Sequence, residues 1–292
     1  MSTALIAGEV LFDIFEDGSQ VLGGAPFNVA WHLHGLGVNP LFVSAVGPDA
    51  YGDEARSAMQ SWGMDITALQ TDSHHPTGTV QVSLKNGIPS FEIVGDVAYD
   101  FIEPPQLNNR IENCKLMYHG SLAMRCPVTR QAIQQLRKDS GLPVFIDVNL
   151  RAPFWKKSFI VEIINGANWV KVNDEEILLL SDGGDKDLIS CAQRFREKHD
   201  LQMLIVTQGA EGAFVVGENV IEKVEAAPIK KMVDTVGAGD GFSAMTIAGV
   251  LQGWDIRESL EAASLFASRI CELRGALSKD RTFYDEILDE IH

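Results

Sequence analysis

The sequence predicts an α/β fold in which a parallel sheet is covered by helices on both faces. Short apolar runs rich in β-branched residues recur along the chain, and segments of helical length separate them. The runs are continuous rather than alternating, as expected for strands that are buried on both faces. Strand–helix alternation at this spacing is typical of a parallel sheet. The predicted strands are residues 4–8, 41–47, 115–120, 144–149, 169–173 and 203–209.

Helical patterns occupy the segments between these strands, and the last third of the chain is mostly helical. Residues 223–233 show no clear pattern of either kind. No linker in the 292 residues is long enough to separate two independent domains, so we expect one domain spanning residues 1–292. The predicted helices are residues 25–37, 127–140, 187–200, 240–253, 256–274 and 281–291.

Two segments interrupt this alternation and predict a small additional sheet. Residues 9–22 and 76–101 alternate polar and apolar side chains around the turn sequences DGS and NG. Neither segment follows a crossover helix, so we expect their strands to lie outside the main sheet with one face exposed. Such strands suit a lid over a binding site. The alternative is a surface sheet that has no role in binding.

The chain is acidic, which limits the partners that it can bind. It has 40 acidic and 24 basic residues and a formal net charge of -16, which argues against nucleic acids and anionic membranes. A bound phosphate would therefore require local cations, a metal ion or backbone amides. The four cysteines are widely spaced, and the first residues resemble neither a signal peptide nor a membrane span. We expect a soluble cytoplasmic protein.

Residues 234–242, DTVGAGDGF, place three glycines and an alanine directly before a helix that the following apolar residues predict to be buried. The segment does not match the dinucleotide fingerprint, because Phe242 stands where that pattern requires glycine. No Lys-Ser or Lys-Thr pair follows, so the segment is not a P-loop either. The glycines must therefore serve a tight turn or a close approach of the backbone to a ligand.

The small residues of this segment predict an anion site at the helix N-terminus. Gly237, Ala238 and Gly239 leave their backbone N–H groups open to an anion at the positive end of the helix dipole. Asp240, in the first turn, is suited to accept a proton from a hydroxyl group beside it. An anion site next to a proton acceptor is the arrangement needed for phosphoryl transfer to an alcohol. The alternative is that Asp240 is only an N-cap.

Polar residues follow several predicted strands, at the edge of the sheet where ligands bind in open α/β folds. Asn173 and Glu176 lie three positions apart and can face one side of a helix start. An amide and a carboxylate there suit Mg²⁺, which one or two carboxylates usually hold together with phosphates. A capping box explains the two residues equally well. The other candidates at strand ends are Asp147, Asn149, Arg151, Thr207, Gly209 and Gly212.

Near the N-terminus, GGAPFNVA (residues 23–30) places two glycines before a predicted helix and Asn28 inside its first turns. Asparagine is a poor helix former and usually occupies a cap. Asn28 could therefore bind a hydroxylated ligand, and Asp13 on the predicted lid could do the same. The alternative for Asn28 is a buried amide whose hydrogen bonds are satisfied within the protein.

The segments DTVGAGDGF, GGAPFNVA and NDEE together resemble the ribokinase-like (PfkB) sugar kinase family. The resemblance extends over nearly the whole chain, and the DTxGAGD signature is specific. Within the family, the chain looks most like the fructokinases. The segments that carry this closer likeness are GGAPFNVA, DVNLR, PTGTV at 76–80, VAYDF at 97–101 and GSLAM at 120–124.

The resemblance implies an ATP-dependent kinase that phosphorylates a sugar, with fructose to fructose 6-phosphate as the reaction that fits best. ATP would lie across the carboxyl edge of the sheet, with its phosphates at the amides of Gly237 to Asp240 and with Asp240 as the general base. Asn173 and Glu176 would organise Mg²⁺ and its waters. The implied sugar contacts are Asp13, Gly24 and Asn28, and the implied nucleotide contacts are Asn173, Thr207, Gly209 and Gly212.

The resemblance also implies a cation and a partner. Family members often bind a monovalent cation such as K⁺, which here would lie near Asp234 and the loop around Gly275. Some relatives form homodimers by pairing their lid sheets, which would cover an exposed sheet edge.

The resemblance leaves the identity of the sugar open. Ribokinases tend to carry an acidic sugar contact where this chain has Ser121 and Leu122, which weakens ribose as the substrate. A 2-keto-3-deoxygluconate kinase would need a cation for the carboxylate of its substrate, and Arg125, Arg151 or Lys171 could supply it. Outside this class, the alternatives are a sugar or nucleotide sensor on the same fold, against which the predicted base argues, and a dehydrogenase, against which the missing fingerprint argues.

Overall fold

The computed structural model describes residues 3–85, 88–105, 108–183 and 187–291. Within these ranges, strands and helices alternate along most of the chain. The strands are β1 (Thr3–Ala7), β2 (Leu11–Phe15), β3 (Gln20–Gly23), β4 (Asn39–Val46), β5 (Leu69–Thr71), β6 (Gly78–Lys85), β7 (Ile88–Ile93), β8 (Cys114–His119), β9 (Val144–Asp147), β10 (Trp169–Asn173), β11 (Met203–Thr207), β12 (Ala213–Gly217) and β13 (Ile221–Val224). The α-helices are α1 (Ala25–Gly35), α2 (Ala50–Trp62), α3 (Pro127–Ser140), α4 (Lys157–Ile164), α5 (Asp174–Leu180), α6 (Leu188–Lys198), α7 (Ala238–Gln252), α8 (Ile256–Ile270) and α9 (Arg281–Ile291).

The main sheet has the strand order β13-β12-β11-β10-β9-β8-β1-β4-β5. All neighbours from β11 to β5 are parallel, and β12 and β13 add an antiparallel hairpin at one edge. Parallel strands all end at the same edge of a sheet. The loops that follow β1, β8, β9, β10 and β11 therefore meet there, which is the position of ligand sites in open α/β folds.

Helices cover both faces of the main sheet. In β1, Leu5 and Ala7 belong to one apolar cluster, whereas Ala4 and Ile6 belong to a second cluster on the opposite face. The first cluster includes side chains of α3, α4, α5 and α6, and the second includes side chains of α1, α2, α7, α8 and α9. Burial on two faces explains why the strands read as continuous apolar runs. The predicted α/β fold with a mainly parallel sheet is confirmed.

A second, smaller sheet has the strand order β3-β2-β6-β7. Strands β2 and β6 are parallel, and the other two pairs are antiparallel. Because β2 begins shortly after β1 ends, the small sheet lies beyond the carboxyl edge of the main sheet. The predicted additional sheet is present, although residues 98–101 form a 3₁₀ turn rather than a strand. The predicted NG turn at 86–87 lies outside the described residues.

The structure corrects several predicted boundaries. The strand predicted at 203–209 ends at Thr207, because Gly209 and Gly212 adopt positive φ angles of 54° and 93° and turn the chain into β12. The sequence patterns did not single out β12, and only the end of β13 falls within the ambiguous segment 223–233. The helix predicted at 256–274 ends at Ile270.

Two further observations concern membrane-spanning helices and cysteines. In the described ranges, no helix has both the length and the apolar content that a membrane crossing requires. All four cysteines lie in those ranges, and their thiols are free.

Candidate active site

Three adjacent cavities lie at the carboxyl edge of the main sheet, and the start of α7 adjoins all of them. The lid cavity, of about 290 Å³, lies beneath the small sheet and is lined by Asp13 and Asp240 among others. The central cavity, of about 230 Å³, also contains Asp240, and it contains Gly239 as well. The hairpin cavity, of about 260 Å³, lies beside β12 and β13 and shares Gly239 with the central cavity.

The lid cavity contains the three residues predicted to bind sugar. Asp13, Gly24 and Asn28 all line it. Gly24 has a φ of 111°, and an added Cβ would lie 2.7 Å from the backbone oxygen of Glu9, so no larger residue fits there. Burial raises the pKa of Asp13 to about 6, and the nearby Arg151 acts in the opposite direction. The small sheet therefore contributes one carboxylate to this cavity, beside the apolar side chains of Leu11, Val80, Phe91 and Ile93.

Asp240 is buried and is held by Asn28. The Asn28 Nδ2 donates a hydrogen bond to Asp240 Oδ2 at 2.7 Å. Burial raises the pKa of Asp240 to about 6; the Asn28 hydrogen bond lowers it, and the charge of Asp147 raises it. The predicted alternative that Asp240 is an N-cap is wrong, because Gly237 occupies that position and the Asp240 side chain bonds to Asn28 instead. Asn28 Oδ1 has no hydrogen-bond partner among the described residues, so its amide is only half satisfied within the protein.

The first turn of α7 brings together the residues predicted to bind an anion. Gly237 is the N-cap, with a φ of 81°, and an added Cβ would lie 2.4 Å from the Ala276 Cβ. At Gly239 an added Cβ would meet only the Lys171 Nζ, at 3.6 Å, so the space in front of this residue is open. The N–H of Ala238 donates to the Thr235 oxygen at 3.3 Å. The N–H groups of Gly239 and Asp240 belong to the first turn, where amides have no partner within the helix.

A buried ion pair forms the floor of the central cavity. Lys171 Nζ donates to Asp147 Oδ2 at 2.8 Å, and the Ser243 hydroxyl donates to the same oxygen at 2.8 Å. Both charged side chains are almost fully buried. Asp147 thus joins the end of β9 to α7 and stands next to Asp240, whose pKa it raises.

Asn173 and Glu176 form the capping box that was the alternative explanation of their spacing. Asn173 Oδ1 accepts from the Glu176 N–H at 2.8 Å, and Glu176 Oε2 accepts from the Asn173 N–H at 2.9 Å. The other carboxylate oxygen of Glu176 accepts from the Leu150 N–H at 2.7 Å. Both residues nevertheless line the central cavity. Capping fixes their positions and still leaves lone pairs on their oxygen atoms for further hydrogen bonds.

The central cavity combines three carboxylates with the cations Arg151 and Lys171. Asp147, Glu176 and Asp240 all line it. Burial raises the pKa of Glu176, and the charge of Asp147 acts in the same direction. In the described ranges, no three His, Cys, Asp or Glu side chains form a complete metal site. The oxygen atoms of Glu176 and Asn173 are donors of the kind that Mg²⁺ takes when it keeps its waters and binds phosphates.

The hairpin cavity contains the remaining residues predicted to bind nucleotide. Thr207, Gly209 and Gly212 line it together with small and apolar side chains of the loop after β13. Gly209 has open space at its Cα, whereas a Cβ on Gly212 would lie 2.1 Å from the Val224 oxygen. Gly212 is therefore required by the packing of the β12–β13 hairpin. The lining of this cavity is mostly apolar. The other side chains that line it include Ala226, Ala227, Ile229, Met232 and Phe242.

Two of the three cations considered for a substrate carboxylate are engaged within the protein. Lys171 is paired with Asp147, as described above. Arg125 donates through Nε and Nη2 to Asp100 at 2.8 Å each, and both partners are buried. Arg151 is exposed and lines both the lid cavity and the central cavity. Lys171 also lines the central cavity, so Arg151 is the one of these three that lines a cavity without being engaged in a buried ion pair.

Glu9 is a site residue that sequence reasoning missed. It follows β1, lines the lid cavity and is 4% exposed. Burial raises its pKa to about 7, and a backbone N–H of Ala123 acts in the opposite direction. The sequence showed no carboxylate near Ser121 and Leu122; in the structure Glu9 supplies one from the neighbouring strand. Its position directly after a predicted strand could have identified Glu9 as a candidate, as it identified the other candidates at strand ends.

The segments predicted to surround a monovalent cation are joined in the structure. Asp234 Oδ2 accepts from the Gly275 N–H at 3.2 Å, and Asp234 Oδ1 accepts from the Val236 N–H at 3.1 Å. Asp234 therefore connects the start of the α7 loop to the loop after α8.

Comparisons with known proteins identify the family of the chain. Residues 10–282 match the model of the pfkB family carbohydrate kinases. An uncharacterized sugar kinase of Pyrococcus horikoshii is 30% identical over 303 residues, covering 96% of this chain and 93% of that protein. A fructokinase of Escherichia coli is 28% identical over 269 residues, covering 85% of this chain and 83% of the other.

Solved structures show the same fold. The Pyrococcus horikoshii sugar kinase in complex with ATP superimposes with a TM-score of 0.83 at 27% identity, covering 98% of this chain and 97% of the other. A fructokinase of Xylella fastidiosa with bound ATP has a TM-score of 0.88 at 20% identity, covering 99% and 98%. The family match spans most of the chain, and this chain is therefore a sugar kinase that belongs to the pfkB family of carbohydrate kinases.

Proposed function

We propose that this sugar kinase transfers the γ-phosphate of ATP to a hydroxyl group of fructose and forms fructose 6-phosphate. The observation that carries the proposal is the position of Asp240, which lines both the lid cavity and the central cavity. A carboxylate at that junction touches the acceptor hydroxyl on one side and faces the transferred phosphoryl group on the other. The likeness to the Escherichia coli fructokinase supports the choice of fructose.

In this proposal each cavity has one role. The hairpin cavity takes the base of ATP, and the first-turn amides of α7 hold the transferred phosphoryl group. Asp13 and Asn28 orient the sugar, and the buried Asn28 Oδ1 has a free lone pair for a sugar hydroxyl. Asp240 accepts the proton of the attacking hydroxyl while the amides stabilise the charge that develops on the phosphoryl oxygens. The ATP complex of the Pyrococcus horikoshii kinase supports the use of ATP.

Mg²⁺ is part of the same proposal. Glu176 and Asn173 would hold the ion through its waters, beside Asp147. When bound, Mg²⁺ would neutralise charge on the transferred phosphate. Removal of divalent ions with a chelator should then abolish turnover. K⁺ is the proposed monovalent cation, close to the Asp234–Gly275 contact, where it would stabilise the loop before α7.

The second candidate acceptor is 2-keto-3-deoxygluconate. It is favoured by one observation: Arg151 is exposed at the junction of the lid and central cavities, where it could pair with a substrate carboxylate. An Arg151→Gln variant separates the two acceptors. A rise in KM for 2-keto-3-deoxygluconate that is at least about tenfold larger than the rise for fructose would identify a carboxylate contact.

Coupled ADP release tests the proposal. The enzyme is assayed with ATP and Mg²⁺ against fructose, 2-keto-3-deoxygluconate, ribose, tagatose and adenosine, beside Asp240→Asn. We expect fructose to give the highest kcat/KM, and we expect Asp240→Asn to lose about 10² to 10⁴ in turnover with little change in ATP affinity. Asp289→Asn, on the exposed face of α9, is the matched control and should retain full turnover. Turnover of Asp240→Asn within about tenfold of the parent would contradict the assignment of the base, and release that no sugar stimulates would favour a sensor.

A further inference from the structure

A fourth cavity shares no lining residue with the three that form the candidate active site. Its volume is about 490 Å³, and it lies between β3, α2 and residues 274–279. We call it the α2 cavity. Its lining includes Trp31 and Trp62 at the base, Ser57 and Ser61 on α2, and Arg274 and Lys279 on the segment after α8.

The base of the α2 cavity is rigid. The rings of Trp31 and Trp62 stack with centroids 5.1 Å apart and an interplanar angle of 3°. The guanidinium of Arg281 lies over the Trp62 ring, 4.2 Å from its centroid. Trp31 Nε1 donates to the Ser278 oxygen at 2.8 Å, which ties the base to the segment 274–279. A preformed cavity loses little entropy when a ligand enters it.

The two sides of the α2 cavity differ in chemistry. Arg274 and Lys279 are exposed cations on one side, in a chain whose net charge is -16. Ser57 and Ser61 are exposed hydroxyls one helical turn apart on the other side. The carboxylate of Glu54, which also lines the cavity, accepts a hydrogen bond from Gln20 Nε2 at 2.5 Å. Guanidinium and ammonium groups suit a phosphate, and hydroxyls suit a polyol, so the combination fits a sugar phosphate.

The walls of the α2 cavity are in direct contact with the candidate active site. Ala276 lines the cavity and packs against Gly237, where a Cβ would lie only 2.4 Å from the Ala276 Cβ. The Gly275 N–H donates to Asp234 at 3.2 Å, in the loop before α7. The opposite wall includes β3, which pairs with β2, the strand that carries Asp13. A ligand that bridges these walls would hold the small sheet and the start of α7 in one relative position.

We propose that the α2 cavity is an effector site for a sugar phosphate, and that its occupancy changes turnover at the start of α7. Binding requires only the cavity itself, whereas the effect on turnover rests on the proposed function. The two parts are therefore tested separately.

Binding is measured by titration calorimetry without ATP, with glucose 6-phosphate as the probe. The double variant Arg274→Gln/Lys279→Gln should weaken binding by about tenfold or more, because it removes both cations. Lys115→Gln/Lys138→Gln, which removes two exposed cations from β8 and α3, is the matched control and should bind as the parent does. Ser57→Phe, which fills the cavity, should abolish binding. Inorganic phosphate should bind more weakly than the probe, since it lacks the hydroxyls.

Turnover is then measured with and without saturating probe. We expect a change of about twofold or more in the parent and in the lysine control, and none in the double variant. Absence of binding to the parent up to about 10 mM would overturn the proposal, as would equal binding to the double variant. Equal affinity for inorganic phosphate would overturn the assignment of a sugar phosphate. Binding without any effect on turnover would overturn the coupling.

A protein that phosphorylates no sugar would contradict the proposed function, and the calorimetry would still decide whether the site exists.

Discussion

The contact between Asn28 and Asp240 is the smallest unit on which the proposed chemistry depends. Asn28 lies in the first turns of α1, and Asp240 lies in the first turn of α7; glycines precede both helices. The two helices lie on the same face of the main sheet. A buried carboxylate without a donor would take up a proton, because burial disfavours its charged form. The hydrogen bond from the Asn28 amide opposes this effect by lowering the pKa of Asp240, as the proposed role of a base requires.

We expect the pH dependence of catalysis to report this contact. The pKa of Asp240 is raised to about 6, and the Asn28 hydrogen bond lowers it. Asn28→Ala removes that bond, so the pKa should rise further. Because a protonated Asp240 accepts no proton, activity is lost as pH falls through its pKa, and the acidic limb of kcat/KM should move to higher pH in the variant. The measurement is kcat/KM for the sugar between about pH 5 and 8.

If the acidic limb of Asn28→Ala coincided with that of the parent, Asn28 would not influence the pKa of Asp240, even if KM increased. A change in KM alone would mean that Asn28 binds the sugar without influencing the base. Asn165→Ala, in the exposed loop after α4, is the control, and its limb should not move.

At the scale of elements, the start of α7 contains two glycines with different tasks. Gly237 has a φ of 81° and packs against Ala276, whereas Gly239 lies inside the helix with open space before it. Gly237→Ala should reduce the free energy of unfolding by about 1–3 kcal/mol, from strain and from the clash. Gly239→Ala should leave stability unchanged or raise it by about 0.5–1 kcal/mol, since alanine is the better helix former.

Both variants should lose turnover, for different reasons. In Gly239→Ala the new methyl group would occupy the space proposed for the phosphoryl group, so a fully stable protein should lose about tenfold or more in kcat/KM. Denaturant unfolding and steady-state kinetics on the same samples separate the two effects. A fully active Gly239→Ala enzyme would mean that no anion approaches this part of the helix.

The small sheet gives a second prediction at this scale. Phe91 on β7 is 58% exposed and lines the lid cavity. If the sheet closes over the sugar, this ring is removed from water. Phe91→Ser should then raise the KM for the sugar by about tenfold, because full burial of an aromatic ring is worth about 1.5–3 kcal/mol and this ring is only partly exposed. Stability should change by less than about 0.5 kcal/mol.

Phe15 on β2 provides the control for this prediction. It is also an exposed aromatic residue of the small sheet, at 38%, but it does not line the lid cavity. Phe15→Ser should leave the KM for the sugar unchanged. Equal effects of the two substitutions would indicate that the sheet responds as a whole to loss of apolar surface, without closure onto the sugar.

The predictable elements are those whose sequence pattern has a single structural explanation. The parallel strands were predictable because burial on two faces gives continuous apolar runs. The β12–β13 hairpin was not predicted. A short antiparallel pair at the sheet edge has no crossover helix, so the strand–helix alternation that identified the other strands is absent there. Gly212 was predicted only as a nucleotide contact. The structure shows that the packing of the hairpin also requires glycine at this position. A glycine in the sequence does not indicate which of these two needs it meets.

Site residues were predictable where they follow strands or glycines. That rule predicted Asp240, Glu176 and Thr207 as candidates, and all three line the central cavity. Their contacts could not be predicted. Nothing in a single sequence indicates that Asn28 bonds to Asp240, or that Lys171 is neutralised by Asp147, because these pairs depend on the order of strands in the sheet.

At the scale of the whole molecule, the net charge of -16 should make stability depend on salt. Repulsion among surface carboxylates destabilises the folded state, and salt near 0.1 M screens it over about 10 Å. We expect Tm to rise by about 2–4 °C between low salt and 0.2 M NaCl, which corresponds to about 1 kcal/mol. Differential scanning calorimetry measures the change. An equal rise in tetramethylammonium chloride would identify screening, whereas a fall in Tm in both salts would show that attractive pairs dominate.

The span of the Asn28–Asp240 contact has a consequence for biosynthesis. The two residues are 212 positions apart, and strand β1 precedes one of them while α7 contains the other. A nascent chain can pair its parallel strands as far as β11 before α7 leaves the ribosome. Until then the predicted base is absent, and the face of the sheet that α7 covers is exposed. The protein is therefore inert, and in need of protection from aggregation, for most of the time that a ribosome spends making it.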